Sequence, residues 1–116
     1  MDLSQKTCTA CKGGEPVLKS NEISKFLKQV STEWQVKENQ DLPAQAGKIV
    51  REFIFDNFNE AIEFVNSVAK IAENEGHHPN ICLHSYKKVK IELWTHKIGG
   101  LHENDFIMAA KIDKLQ

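Results

Sequence analysis

Three of the chain's five histidines, His77, His78 and His96, fall at the ends of elements and not within apolar stripes. His77 and His78 stand between Gly76, which permits the turn that ends a helix, and Pro79, which cannot continue one. His96 closes an alternating run from Val89 and precedes the doublet Gly99-Gly100. An unperturbed imidazole titrates at about pH 6.5, so it donates and accepts protons near neutrality, and each well-placed acid or base contributes roughly 10²–10⁴ in rate. Two or three imidazoles around one small substrate suit an elimination.

Placing those histidines takes a framework, and hydrophobic periodicity supplies one. Ile23, Phe26, Leu27 and Val30 repeat at helical steps, which predicts a helix over 21–30 capped by Ser20, with Glu22 at its positive end. Trp34 to Lys37 alternates, a polar link containing Pro43 follows, and Ile49, Arg51, Phe53 and Phe55 alternate again. From Asn57 to Glu75, Ala61, Ile62, Val65, Val68, Ala69 and Ala72 form the stripe of an amphipathic helix that covers a sheet. Ile81 and Leu83, then Val89, Ile91 and Leu93, predict a hairpin turning near Lys87-Lys88, with His96 on the face opposite Val89, Ile91 and Leu93. Glu103 to Leu115 reads as a closing helix.

The order αββαββα predicts an α+β fold: a four-stranded antiparallel sheet with helices on one face and the other face open to solvent, ligand or another subunit. A chain of 116 residues suffices for one ordinary core. Residues 1–19, with Gly13-Gly14, Pro16 and no sustained period, read as an N-terminal arm, and residues 20–116 as a single domain.

Several chemistries lack their usual residues. The 15 basic and 16 acidic residues nearly cancel and form no long like-charged run, so neither nucleic acid nor a membrane surface is an expected partner. Apolar stretches are short and the start shows no leader-like layout, which predicts a soluble cytoplasmic protein, and three cysteines suit a reducing compartment. Cys8-x-x-Cys11 has the spacing of half a zinc site, but a second matching pair is missing, and there is no His-Glu-x-x-His helix; no metal is expected. As a redox motif the pair is misplaced, since it lies in an arm and not at a strand-to-helix junction. The glycine doublets are too short for a nucleotide loop, no nucleophile elbow is present, and no bound cofactor is expected.

Taken in order, Glu73, His77-His78-Pro79, Tyr86, His96 and Asp105 resemble the signature of the pterin-4a-carbinolamine dehydratases. Lys88 to His96 is similar to that family's last strand, and Gly100-Leu101 before an acidic-started helix is similar to its end. Residues 20–115 follow the family's order of elements throughout.

The resemblance implies a sheet extended across subunits, a homo-oligomer (dimer or tetramer), and a pterin substrate held by the two-histidine turn and the end of the last strand. It implies removal of water from 4a-hydroxytetrahydropterin, the carbinolamine left by an aromatic amino acid hydroxylase, to give quinonoid dihydropterin; functional coupling to such a hydroxylase is expected. Losing the C4a hydroxyl requires one proton delivered to the departing oxygen and one removed from a ring nitrogen. His77 and His96 are assigned that exchange, and His78 is assigned with Thr95 to position the pterin. Glu73 is expected to hold a histidine or bond the pterin's amide edge, and Pro79, which pins the same turn, is expected with Glu73 and Thr95 to bind the substrate. Asp105, three residues after His102, reads as a helix-start residue satisfying backbone donors. His102, where the family often has Ser or Thr, predicts a weakened cap, and Gly76, where it often has Asp or Asn, predicts a lost contact. The family also includes the dimerisation cofactor of a homeodomain transcription factor, so the alternative is a protein-interaction cofactor of a transcription regulator. A third reading is a histidine module that retains pterin or metal without turnover.

Overall fold

The protein is described by a computed structural model over residues 2–10, 12–38 and 47–116; Cys11 and the Pro43 link lie outside the described residues. A short 3₁₀ turn, Leu3–Gln5, precedes α1 (Ser20–Leu27), β1 (Gln35–Glu38), β2 (Gly47–Ile54), α2 (Phe58–Glu75), β3 (Asn80–His84), β4 (Lys88–Leu93) and α3 (Glu103–Asp113). The expected α+β architecture is present, with one antiparallel four-stranded sheet in the order β1-β2-β4-β3. Because α2 carries the chain from β2 to the far edge, β3 becomes that edge and β4 fills the gap beside β2.

That central position explains the composition of β4. Val89, Ile91 and Leu93 are fully buried, and the register places them opposite Phe53, Arg51 and Ile49 on one side and beside Leu83 and Ile81 on the other. Every other β4 residue therefore enters the core, which makes the register hard to slip. Phe53 and Phe64 pack at 4.5 Å between centroids and Phe26 stacks on Phe106 at 5.4 Å, joining the sheet to α2 and α1 to α3.

Three local expectations give way to geometry. Ser20 is the first helical residue and not the cap: the Lys19 N–H at the start of α1 donates to the Glu22 carboxylate at 3.0 Å, and the helix ends at Leu27 in tighter i→i−3 bonds. The face of α2 that meets the core is Ala61, Phe64, Val68 and Ala72, while Ile62 and Ala69 turn outward, because the large Phe64 side chain sets the orientation. The β3–β4 hairpin turns at Ser85 and Tyr86, both with positive φ (50° and 52°), two residues earlier than expected. Two such residues match the twist of paired strands, but neither is the glycine or asparagine that announces such a turn.

α3 is buried on nearly every side, from Asn104 through Ala110 and again at Ile112. The sheet, α2 and α1 cover part of it, and the turn Leu3–Gln5 covers the rest with Leu3 itself buried. At its other end Asp113 accepts from the Trp34 indole N–H at 2.8 Å, the Ser31 N–H at 2.9 Å and the Arg51 guanidinium at 2.6 Å. Arg51 also lies over the Phe53 ring at 4.2 Å. One carboxylate thus ties α3 to β2 and to the segment before β1.

Removing a carboxylate with three donors leaves a largely buried guanidinium and an indole N–H unpaired. Asp113→Ala is expected to lower the unfolding free energy by about 3 kcal/mol in urea denaturation, whereas a surface ion pair would give under about 1.

Candidate active site

Asn57, the N-cap of α2, accepts from the Glu60 N–H at 2.9 Å, and the helix runs without interruption to Glu75. Gly76 ends it in the left-handed region (φ 64°, ψ 28°), a conformation that costs glycine nothing and a branched residue a good deal. The next N–H, that of His77, still donates to the Ala72 carbonyl at 3.2 Å, so the turn that presents the histidines is fastened to the helix.

His77 turns inward. Its Nε2 lies 2.6 Å from Oδ1 of Asp105, and the Asp105 side chain is wholly buried. The Thr95 hydroxyl donates to Oδ2 of Asp105 at 2.9 Å, and the His102 N–H donates to the same oxygen at 2.9 Å. Asp105 is therefore both the helix-start acceptor expected from sequence and the partner of a histidine. His102 caps the same helix after all, its Nδ1 accepting from the Asn104 N–H at 3.0 Å.

His78 turns the other way, with Nε2 at 2.6 Å from Oε1 of Glu73, both side chains largely exposed. β4 ends at Leu93, so His96 is not placed by strand alternation; it sits in the turn closed by the pairing of Thr95 with Gly100, its ring 4.4 Å from that of Trp94. The carboxylates at His77 and His78 each engage Nε2 of one ring.

His77, His78, Thr95 and His96 line one cavity of about 540 Å³, in the size range of small-molecule sites. Glu73 is not in its wall and reaches it only through His78, and Pro79 is half-buried ahead of β3 outside it. The Thr95 hydroxyl has its proton committed to Asp105. The arm lines the same cavity through Cys8, Thr9 and Ala10, with Glu75 and Asn104. Of these, sequence patterning singled out only Cys8, as part of a candidate zinc or redox pair and not as a cavity wall, since the arm has no period and Asn104 sits in a helix start where polar residues are ordinary. Among the described residues, no three His, Cys, Asp or Glu side chains converge as a metal cage would require.

Half-burial pushes the Cys8 thiol up to about 12, and the nearby Glu75 carboxylate adds to the effect. Cys8 is thus a neutral cavity-wall group at physiological pH, not a thiolate nucleophile. Iodoacetamide at pH 8 is expected to label the exposed Cys82 well before Cys8 in the folded protein, with the order lost in denaturant, as read by peptide mass spectrometry.

Residues 16–115 match the family model described as pterin 4 alpha carbinolamine dehydratase. The chain is 47% identical over 111 residues to a Rickettsia canadensis protein, covering 96% of this chain and 94% of the relative. It is 46% identical over 115 residues to an Alkaliphilus metalliredigens protein, covering 99% and 96%. Both relatives are provisionally named pterin-4-alpha-carbinolamine dehydratase. The fold is similar to that of a crystal structure titled transcriptional coactivator/pterin dehydratase from Brucella melitensis, with TM-score 0.72 and 29% identity over 86% of this chain and 98% of that one. A pterin dehydratase-like protein described as a RuBisCO assembly factor in the alpha-carboxysome shares the fold alone, at TM-score 0.58 and 24% identity over 72% of this chain and 88% of that one. The histidine turn, its buried carboxylate and these matches together place the chain in the pterin-4-alpha-carbinolamine dehydratase family of hydro-lyases.

Proposed function

We propose that this enzyme dehydrates 4a-hydroxytetrahydropterin to quinonoid dihydropterin and water, with His77 and His96 as the proton-transfer pair. The observation that carries this reading is the sharing of one cavity by His96 and by His77, whose far nitrogen is held by a buried carboxylate. A bicyclic pterin is of a size for such a cavity, and the histidine walls set imidazole nitrogens around its ring edge.

The bookkeeping is simple. The C4a–O bond breaks, a proton passes from one histidine to the departing oxygen, and the other histidine takes a proton from a ring nitrogen as C=N character forms. Each turnover leaves the pair with one proton between them as before, so no external acid, base or oxidant is consumed. Asp105 acts through His77: it fixes the ring's orientation and tautomer, so that Nδ1 faces the reaction with a defined protonation. His78, held by Glu73, sits at the exposed side of the cavity, and its role is to position the pterin. Thr95 supports this arrangement by bonding Asp105.

The same reading places the enzyme in the cytoplasm beside an aromatic amino acid hydroxylase whose spent pterin it processes. It also joins two copies through a sheet edge: β3 pairs with β4 alone among the described strands, leaving its outer backbone groups open to a strand from a second chain. No helix among the described residues is long and apolar enough to cross a membrane.

The test follows the decay of freshly generated 4a-hydroxytetrahydropterin by ultraviolet absorbance. Wild type is expected to accelerate it, indifferent to chelator, and His77→Ala and His96→Ala each to lose roughly 10²–10⁴ in kcat. His78→Ala is expected to raise KM more than it lowers kcat; a loss equal to that of the other two would overturn the division of roles. Asp105→Asn, which keeps the shape and removes the charge, is expected to lose on the order of 10² in kcat. No acceleration by wild type would favour a coactivator role of the kind named for the Brucella protein.

A further inference from the structure

The N-terminal arm is fastened on both sides of the histidine cavity. Before it, Leu3 is buried against α3, the Ser4 carbonyl accepts from Lys111 Nζ at 2.9 Å, and Lys6 pairs with Glu103 at 2.8 Å. After it, the Leu18 N–H donates to the Leu101 carbonyl at 2.9 Å, and Val17 packs so closely on Gly100 that a Cβ there would lie 2.7 Å from its Cγ1. Between these anchors Gly13 passes the Lys97 carbonyl, next to His96.

Where the arm meets the cavity its backbone is gripped and not merely covered. Asn104 Oδ1 accepts from the Thr9 N–H at 3.0 Å while its Nδ2 donates to the Thr9 carbonyl at 2.7 Å, a two-point contact that fixes both position and direction of that peptide. Glu75 Oε1 accepts from the Cys8 N–H at 2.7 Å. Asn104 is 2% exposed, and besides Asp105 the buried residues of its helix are apolar. A buried amide is tolerated there because its oxygen and nitrogen are both hydrogen-bonded, and an apolar residue would leave the Thr9 N–H and carbonyl without these partners. The amide's distinct consequence is to hold residues 8–10 at one distance from His77 and His96.

We propose that residues 8–10, positioned by Asn104 and Glu75, form a substrate-contacting wall of the histidine cavity and set its affinity for the planar pterin ring. This rests on the dehydratase reading above. The matched family range begins at residue 16, so the wall lies outside that range, in a segment that the Alkaliphilus relative's alignment also spans. Both backbone groups of Thr9 are taken by Asn104 and the Cys8 thiol donates to the Asn104 carbonyl at 3.7 Å, so the arm lines the cavity through Cys8, Thr9 and Ala10 in fixed places. Asn104 and Glu75 are positioning residues, not catalytic ones.

The experiment measures kcat, KM and melting temperature for wild type, Thr9→Trp, Asn104→Ala, Glu75→Ala and Glu75→Gln in the carbinolamine assay. Thr9 is exposed, so Thr9→Trp fills the cavity without touching the core, and it is expected to raise KM at least about tenfold with an unchanged melting temperature. Asn104→Ala and Glu75→Ala are expected to raise KM about fivefold or more with kcat within about twofold and an unchanged pH profile, and Glu75→Gln to retain the wild-type KM by keeping an acceptor for Cys8. Should Asn104→Ala fail to fold, Thr9→Trp and the Glu75 pair carry the test. A wild-type KM in Thr9→Trp, or a fall in kcat alone in Asn104→Ala, overturns the proposal. If wild type gives no turnover, the dehydratase reading fails by itself, and fluorescence titration with 7,8-dihydropterin still decides the wall: weaker binding by Thr9→Trp supports it, and equal or absent binding rejects it.

Discussion

A carboxylate with no exposed surface is tolerable only when its oxygens are fully engaged, and Asp105 meets that condition by drawing three separate parts of the chain to itself. The His102 N–H comes from the start of α3, the Thr95 hydroxyl from the residues after β4, and the His77 ring from the exit of α2. The first two lie within ten residues of Asp105, and His77 is brought from 28 residues away. The histidine site lies where it does because the electrostatic demand of one buried anion is met at the junction of two helices and the central strand. A helix start is a natural place for that anion, since its unpaired N–H groups and dipole favour negative charge.

This double duty explains what the sequence disclosed and what it withheld. Asp105 three residues after His102 was legible as a helix-start acceptor, because capping is a local pattern with a fixed offset. Its bond to His77, 28 residues away, is a tertiary fact that spacing cannot supply. His77, His78 and His96 were legible as candidates for proton chemistry because each stands at or near a glycine or proline break and outside an apolar stripe, and the fold brings them to one cavity. Thr95 was legible as part of the site, but not that its proton is turned to the carboxylate. Thr9 and Asn104 left no such trace, and Cys8 was legible only as half of a metal or redox spacing, since an arm without periodicity and a polar residue in a first helical turn look ordinary until packed together.

The fold followed the same division. Alternation and helical stripes gave the order of elements and the apolar face of β4, because those signals are repeated along the chain and reinforced by register. Single-residue decisions were less visible. The outward turn of Ile62 depends on how a bulky Phe64 seats against Phe53 and Phe55, and the Ser85-Tyr86 turn depends on strand twist imposed from both sides. Strand order 1-2-4-3 was likewise not written in either hairpin; it follows from α2 carrying the chain across the sheet.

The arm shows how few residues separate core from site in a domain of this size. α3 has too many buried faces for the sheet and two helices to cover, and Leu3 with its turn completes the enclosure. Having reached α3 to close the core, the chain must return past the cavity to reach α1, and its path is fixed by Asn104 at one side and Leu101 at the other. The segment that finishes the hydrophobic enclosure is therefore the one that shapes the approach to the histidines. Changes that loosen the Leu3 contact reach the cavity through the backbone of residues 4–9, whereas a change confined to the Thr9 side chain alters the cavity and leaves the enclosure intact.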